Sequence, residues 1–357
     1  MDKYLEKGKE LIKMLINAGY EAYFIGECVR NIILEAEVNQ IEITTNATPS
    51  AVLPIFSFAR TEEKEEHIDV LYGGYTYHVT TFHASNTHKD NRKPTKQHYS
   101  KNLLDELANR DYTINALAMS HSGKITDAYM GVTHISKKKI IVIGKPKVRF
   151  LEDPRRILYG IALMSQLGYK IDGATKRAMA SKRKLLLNVK AKDVYQALSS
   201  IIEGKYSKLA MTFFLEHKFG RYLQGLSKGI DQISKRRHII EKADDFLAAC
   251  FIVDDTQKEA YKEYVLSEDM FEETIELAKA FPKSKYDDYT LYKYGLDVAV
   301  KANELNYILR KARKSTKKIK HQFEKLRIHD QDELDIKKQE LMQMLKEFPA
   351  EVYIECL

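Results

Sequence analysis

The sequence has no run approaching the ~20 apolar residues that a helix needs to cross a bilayer. Its N-terminus, Met1-Asp2-Lys3-Tyr4-Leu5-Glu6-Lys7, lacks the basic-then-apolar layout of a signal peptide. A cytoplasmic protein without membrane contact is expected. Cysteine is scarce. Cys28, Cys250 and Cys356 lie far apart, form no CxxC pair and no zinc spacing, and an odd count does not suggest a disulfide framework. Tryptophan is absent, and no internal repeat or low-complexity tract occurs. Tyrosine is frequent, at 22 residues. In a helix-rich chain it mostly packs in or beside the core, so no single tyrosine is assigned an RNA-stacking role.

What remains is a chain of 357 residues with 44% apolar content, enough for two to four domains or subdomains around a sizeable core. The formal charge of +8 favours an anionic partner, though weakly, because the excess is spread over a long chain. The densest basic segment holds Arg310, Lys311, Arg313, Lys314, Lys317 and Lys318. It reads equally well as an RNA phosphate-contacting element or as a solvated helix face.

Residues 3–18 carry the apolar spacing of an amphipathic helix ending near Gly19. Short strands are expected at 20–26 and 38–45, a helix from Val29 to Leu34, and another opened by Thr48-Pro49-Ser50 with Thr48 or Asn46 as cap. Residues 68–72 and 75–82 read as a hairpin turned at Gly73-Gly74. Residues 84–101 read as a surface loop, 103–119 as a loop or short turn entering a strand, 125–131 as a turn, and 137–143 as a strand. From about residue 147 helical periodicity dominates. The fold class is therefore α+β: a small sheet with helices, followed by an all-helical remainder.

The stretch from Tyr23 to Thr45 organises this pattern. A strand leads through a tight turn at Gly26 into a helix, a layout that can hold a phosphate. The strand that follows places Gln40 and Glu42 on one face, where two acids would grip a divalent metal. Only Glu42 is acidic, and Glu27 puts a further acid into the turn.

Seven stretches in one order extend this reading. They are Gly19-Tyr20-Glu21-Ala22-Tyr23-Phe24-Ile25-Gly26, Val29-Arg30, Ile43-Thr44-Thr45-Asn46-Ala47-Thr48-Pro49, Val79-Thr80-Thr81-Phe82, Arg92-Lys93-Pro94, Arg110-Asp111-Tyr112-Thr113-Ile114-Asn115-Ala116 and Arg149-Phe150-Leu151-Glu152-Asp153-Pro154-Arg155-Arg156. Together they resemble the bacterial CCA-adding enzymes (class II tRNA nucleotidyltransferases) and the related poly(A) polymerases, of the DNA polymerase beta nucleotidyltransferase superfamily. The resemblance implies a nucleotidyltransferase-like head over 1–146, a helical neck over 147–205, a helical body over 206–320 and a short tail over 321–357.

It also implies two-metal chemistry with Mg²⁺, CTP and ATP as substrates, and tRNA or a tRNA-like RNA as partner; a protein partner stays open. The metal-holding positions of the family fall on Gln40, Glu42 and His78. Gln40 brings no charge, and imidazole is a poor ligand for Mg²⁺. Glu42 is the one retained carboxylate and the metal ligand if there is one. Nucleotide-binding positions fall on Gly26, Arg30, Arg110, Asp153 and Arg156; the spacing of the last two is expected to put them on one helix face. Further departures are Asn31, Asn109, His83, Tyr159 and Ala162. The expectation is a catalytically impaired relative that binds RNA or nucleotide, against the alternative of an active enzyme extending an RNA 3′ end.

Overall fold

The computed structural model describes residues 2–63, 67–83, 99–234, 240–253, 264, 271–309, 311–312 and 316–326. The chain forms two compact units, Met1–Leu185 and Leu186–Leu357.

In the first unit, α1 (Asp2–Asn17) precedes β1 (Ala22–Ile25), α2 (Glu27–Ile33), β2 (Ile41–Thr45) and α3 (Pro49–Ile55). Then come β3 (Arg60–Glu63), β4 (Ile68–Tyr72), β5 (Tyr75–Thr81) and α4 (Leu103–Asn109). After β6 (Leu117–Met119), β7 (Ile125–Asp127), α5 (Gly131–Ser136) and β8 (Lys139–Ile140), the unit ends with α6 (Pro146–Glu152), α7 (Arg155–Leu167), β9 (Lys170–Ile171) and α8 (Gly173–Lys182). Seven strands form one mixed sheet in the order β3-β4-β5-β2-β1-β6-β7. The pair β2–β5 is parallel and its neighbours are antiparallel.

The apolar alternation of β2 sets its two faces. Ile41 and Ile43 are fully buried on one side, so Glu42 turns to the other. The expected hairpin is present: Gly73 and Gly74 both adopt positive φ, 60° and 85°, which suits a two-residue turn, and Tyr72 pairs with Tyr75. On the far side of the sheet centre, Leu103 and Leu107 of α4 pack with Ile25, Phe82 and Ala118. Asn102 caps that helix, its Oδ1 accepting from the Leu104 N–H at 3.0 Å.

Four local expectations change. Residues 103–109 form a helix rather than a loop. Residues 125–127 form strand β7, after which the Asp127 carboxylate accepts from the N–H groups of Tyr129, Gly131 and Val132 and turns the chain into α5. The strand expected over 137–143 shrinks to Lys139–Ile140, because Lys138 takes a left-handed φ of 51° and its partner β9 is only two residues long. Thr48 stands at the N-cap of α3 without a side-chain capping bond, and Asn46 Oδ1 instead accepts from the Glu21 N–H at 2.8 Å.

The second unit is helical throughout its described residues: α9 (Ala191–Ile202), α10 (Ser207–Glu216), α11 (Ser227–Ser234), α12 (Ala243–Val253), α13 (Phe271–Ala280), α14 (Asp288–Ile308) and α15 (Lys317–Glu324). The run Phe246 to Ile252 in α12 is wholly buried, which makes it the centre of this core. Buried Asn306 donates Nδ2 to the carbonyls of Ala278 and Phe281, both at 3.1 Å, and so satisfies the end of α13. α14 breaks at Gly295, whose φ of 74° is unsuited to other residues.

Tyr112 is a buried strut of the first unit. Fully buried, it donates its hydroxyl to the Arg156 carbonyl at 2.6 Å, and Gly160 lies against the phenol. A Cβ on Gly160 would overlap the Tyr112 hydroxyl and the Met179 methyl. Gly160→Ala should therefore lower unfolding free energy by about 1–3 kcal/mol, the scale of overpacking, in a denaturant titration followed by circular dichroism. An unchanged midpoint would contradict this packing.

Candidate active site

The sheet register lines up one row of side chains across four strands. Glu62 on β3 stands opposite Asp69 on β4, Asp69 opposite His78 on β5, and His78 opposite Glu42 on β2. Residues in register on adjacent strands point to the same face. The structure therefore brings Glu42 and His78 together, as the resemblance implies, and adds Asp69 beside the histidine. Gln40 lies just before β2 and is exposed.

Glu42 is fully engaged. Arg110 Nη1 donates to its Oε2 at 2.9 Å and Nη2 to its Oε1 at 2.5 Å, a bidentate fork. The same Nη2 donates to Glu106 Oε1 at 2.8 Å. Glu106 is only 4% exposed, and its other oxygen accepts the His83 backbone N–H at 2.9 Å. Burial alone would raise the Glu106 carboxyl, but the Arg110 guanidinium and the His83 contacts overcome it and hold it down at about 2. Burial likewise opposes the charge on Arg110, and Glu42 and Glu106 more than restore it, raising its pKa. Cys28, buried beneath the strand, is pushed up to about 11 by burial and stays a thiol at neutral pH.

Gly26 sits directly over this cluster. Its φ is 79°, and a Cβ there would lie 3.2 Å from Glu42 Oε2 and 3.3 Å from Arg110 Nη1. The turn thus needs glycine both for its backbone and for the space. Glu27, the further acid in the turn, is exposed and ion-paired with Arg30 at 3.1 Å. Arg30 is 1% exposed. It also donates to Asn115 Oδ1 at 2.7 Å and to Asn31 Oδ1, which makes it a strut between α2 and the turn over residues 113–115.

The expectation that Asp153 and Arg156 share a helix face is corrected. Asp153 lies between α6 and α7 with extended φ and ψ of −145° and 100°, because Pro154 excludes the helical conformation from the residue before it. Asp153 pairs with Arg155, whose Nε and Nη2 donate at 2.9 and 3.0 Å. Arg156 instead donates to the Arg149 carbonyl at 3.1 Å and to Glu152 at 3.2 Å. Arg149 donates to the carbonyls of Asn109 and Arg110 at 2.9 and 2.8 Å. Burial, and then the Arg156 charge, lower the pKa of Arg149. Asp111, half-buried beside them, has its carboxyl raised by desolvation. Two arginines, Arg149 and Arg156, thus converge on the loop from Asn109 to Asp111, which carries Arg110 itself.

Of the basic segment, Lys311 lies in a bend and Lys317 and Lys318 are exposed at the start of α15. Arg310, Arg313 and Lys314 lie outside the described residues, as do Arg92-Lys93-Pro94, Cys356 and most of the expected tail. Asp69, Glu106 and His67 were missed at the level of sequence. The first was accessible: a two-residue hairpin turn pairing Tyr72 with Tyr75 necessarily pairs Asp69 with His78.

A mixed sheet whose central parallel pair carries a carboxylate, beside a glycine turn entering a helix, defines a nucleotidyltransferase head. The Poly A polymerase head domain model matches residues 22–141, and the tRNA nucleotidyltransferase domain 2 model matches residues 240–357. A CCA-adding enzyme of Oceanobacillus iheyensis is 32% identical over 282 residues, covering 77% of this chain and 70% of its own. One of Bacillus subtilis is 29% identical over 98% of this chain and 91% of its own. Among solved structures, the Bacillus stearothermophilus CCA-adding enzyme in complex with CTP superposes with a TM-score of 0.77 at 22% identity, over 98% of this chain and 90% of that one. The chain belongs to the bacterial CCA-adding enzyme and poly(A) polymerase family.

Because Glu106 titrates lower folded than its ordinary 4.5, it stabilises the first unit above that pH, and the contribution is lost as pH falls toward about 2. The loss should be on the order of 3 kcal/mol. Glu106→Gln should flatten this part of the stability–pH curve in urea titrations. An unchanged acid slope would contradict the ion pair.

Proposed function

We propose that the protein adds nucleotides from CTP and ATP to the 3′ end of tRNA or a tRNA-like RNA, the 3′-hydroxyl oxygen attacking the α-phosphorus as pyrophosphate leaves. The observation that supports this best is the 32% identity to a CCA-adding enzyme over 282 residues. The donor chemistry at the family's metal positions fits one divalent ion and not two. Glu42 is the single carboxylate there, Gln40 offers a neutral oxygen, and His78 Nδ1 lies against Asp69. Mg²⁺ is commonly held by one or two carboxylates together with substrate phosphates, so Glu42 would hold one ion arriving with the nucleotide. Such an ion supplies Lewis acidity at the transferring phosphoryl group.

Arg110 then has two partners in turn. Without nucleotide its fork holds Glu42; a triphosphate offers the same bidentate acceptor geometry with more charge. Transfer of Arg110 to the phosphates releases the Glu42 carboxylate, and glycine at position 26 keeps a side chain from crowding the exchange. Arg156 and Asp153 are the base-reading pair of this proposal, and each must let go of a present partner to meet a base edge.

A second reading, binding of RNA and nucleotide without transfer, is favoured by the engagement of both Glu42 oxygens. One assay separates the two. The protein is incubated with Mg²⁺ or Mn²⁺, labelled CTP or ATP, and tRNA lacking its terminal CCA. Extension should be seen and should fall at least about 100-fold in Glu42→Ala, the scale for removing one electrostatic stabiliser. No extension by the wild-type protein, with CTP still bound, would establish the binding-only reading.

A further inference from the structure

The feature left unexplained by this chemistry is the hairpin beside it. His67 immediately precedes β4, and Asp69 within it faces His78 across the β4–β5 pair. Asp69 Oδ1 lies 3.1 Å from His67 Nε2 and 2.5 Å from His78 Nδ1. The two imidazoles meet nearly edge-on, with centroids 4.8 Å apart and planes at 81°. All three donor atoms lie within 4.8 Å of one another.

The hydrogen bonding points the same way. Asp69 Oδ1 and His78 Nδ1 are both shielded from solvent and lie at ion-pair distance, yet neither meets the geometry of a hydrogen bond. A cation shared by the two atoms would satisfy both. The other reading of these contacts is a metal-free His–Asp–His ion-pair group, which metal titration separates from a binding site.

We propose that His67, Asp69 and His78 form a binding site for one borderline transition-metal dication of the Zn²⁺ class. Two imidazoles and one carboxylate are the donors such ions prefer, whereas Mg²⁺ prefers oxygen alone. Metal–ligand bonds of about 2.0–2.2 Å in a tetrahedral site place donor atoms roughly 3.3 Å apart. The His67–Asp69 distance already matches, and the Asp69–His78 pair must open by less than about 1 Å. Three protein ligands leave a coordination position open, and Glu42 is the next side chain along the same row. The inference is independent of nucleotidyl transfer.

The test uses the full-length protein stripped of metal. Zn²⁺ is titrated by calorimetry, and Co²⁺ is followed by its visible absorption. One equivalent should bind, with the visible bands of a four- or five-coordinate nitrogen–oxygen site, and excess Mg²⁺ should not displace it. His67→Ala, at a position just outside the strand, and Asp69→Asn should each weaken Zn²⁺ binding at least about 10-fold with an unchanged circular dichroism spectrum. Absence of a Zn²⁺ equivalent in the wild-type protein, or equal binding by a folded His67→Ala/Asp69→Asn double variant, would overturn the site. RNA extension is not a readout here, so this result stands or falls apart from the activity.

Discussion

Arg110 placed between Glu42 and Glu106 is the interaction on which the first unit depends. It ties the metal-position strand to α4 and fixes the loop that Arg149 and Arg156 also hold. Breaking one partner out of a buried ion-pair group leaves uncompensated charge and is strongly destabilising, so the cluster resists piecemeal change. The same cluster occupies the Glu42 carboxylate, the metal ligand of the proposed reaction. Structure and chemistry therefore compete for one side chain, and a triphosphate is the ligand with the charge and shape to settle that competition.

Charge is balanced locally along the row. His78 on β5 faces Asp69, which carries a carboxylate one strand away. Glu27 adds a negative charge to the glycine turn, but Arg30 takes it up. The row therefore mixes carboxylate and imidazole donors, beside a cluster of arginines suited to an anion.

Much of this was legible in the sequence. The alternation Ile41-Glu42-Ile43 fixed which face Glu42 presents, and Gly73-Gly74 fixed the hairpin register. Ordered motifs from Gly19 to Arg156 identified the family. What was not legible depended on tertiary partners. Nothing local says that Arg110 reaches Glu42, 68 residues away, or that Glu106 supports both. The pair Asp153 and Arg156 shows the opposite failure. Helical spacing suggested a shared face, although Pro154 between them already argued for a break. The short strands β7 and β9 escaped detection because two or three residues carry no periodicity.

The central claim, that Arg110 passes from Glu42 to the nucleotide, is tested most directly by metal-free CTP binding to the wild-type protein and to Glu42→Gln. The substituted amide keeps the side-chain shape but no longer competes as a charge for Arg110. The variant should bind metal-free CTP about 10-fold or more tightly than wild type, the worth of a charge-assisted hydrogen bond. Equal or weaker binding by a folded Glu42→Gln protein would contradict the claim.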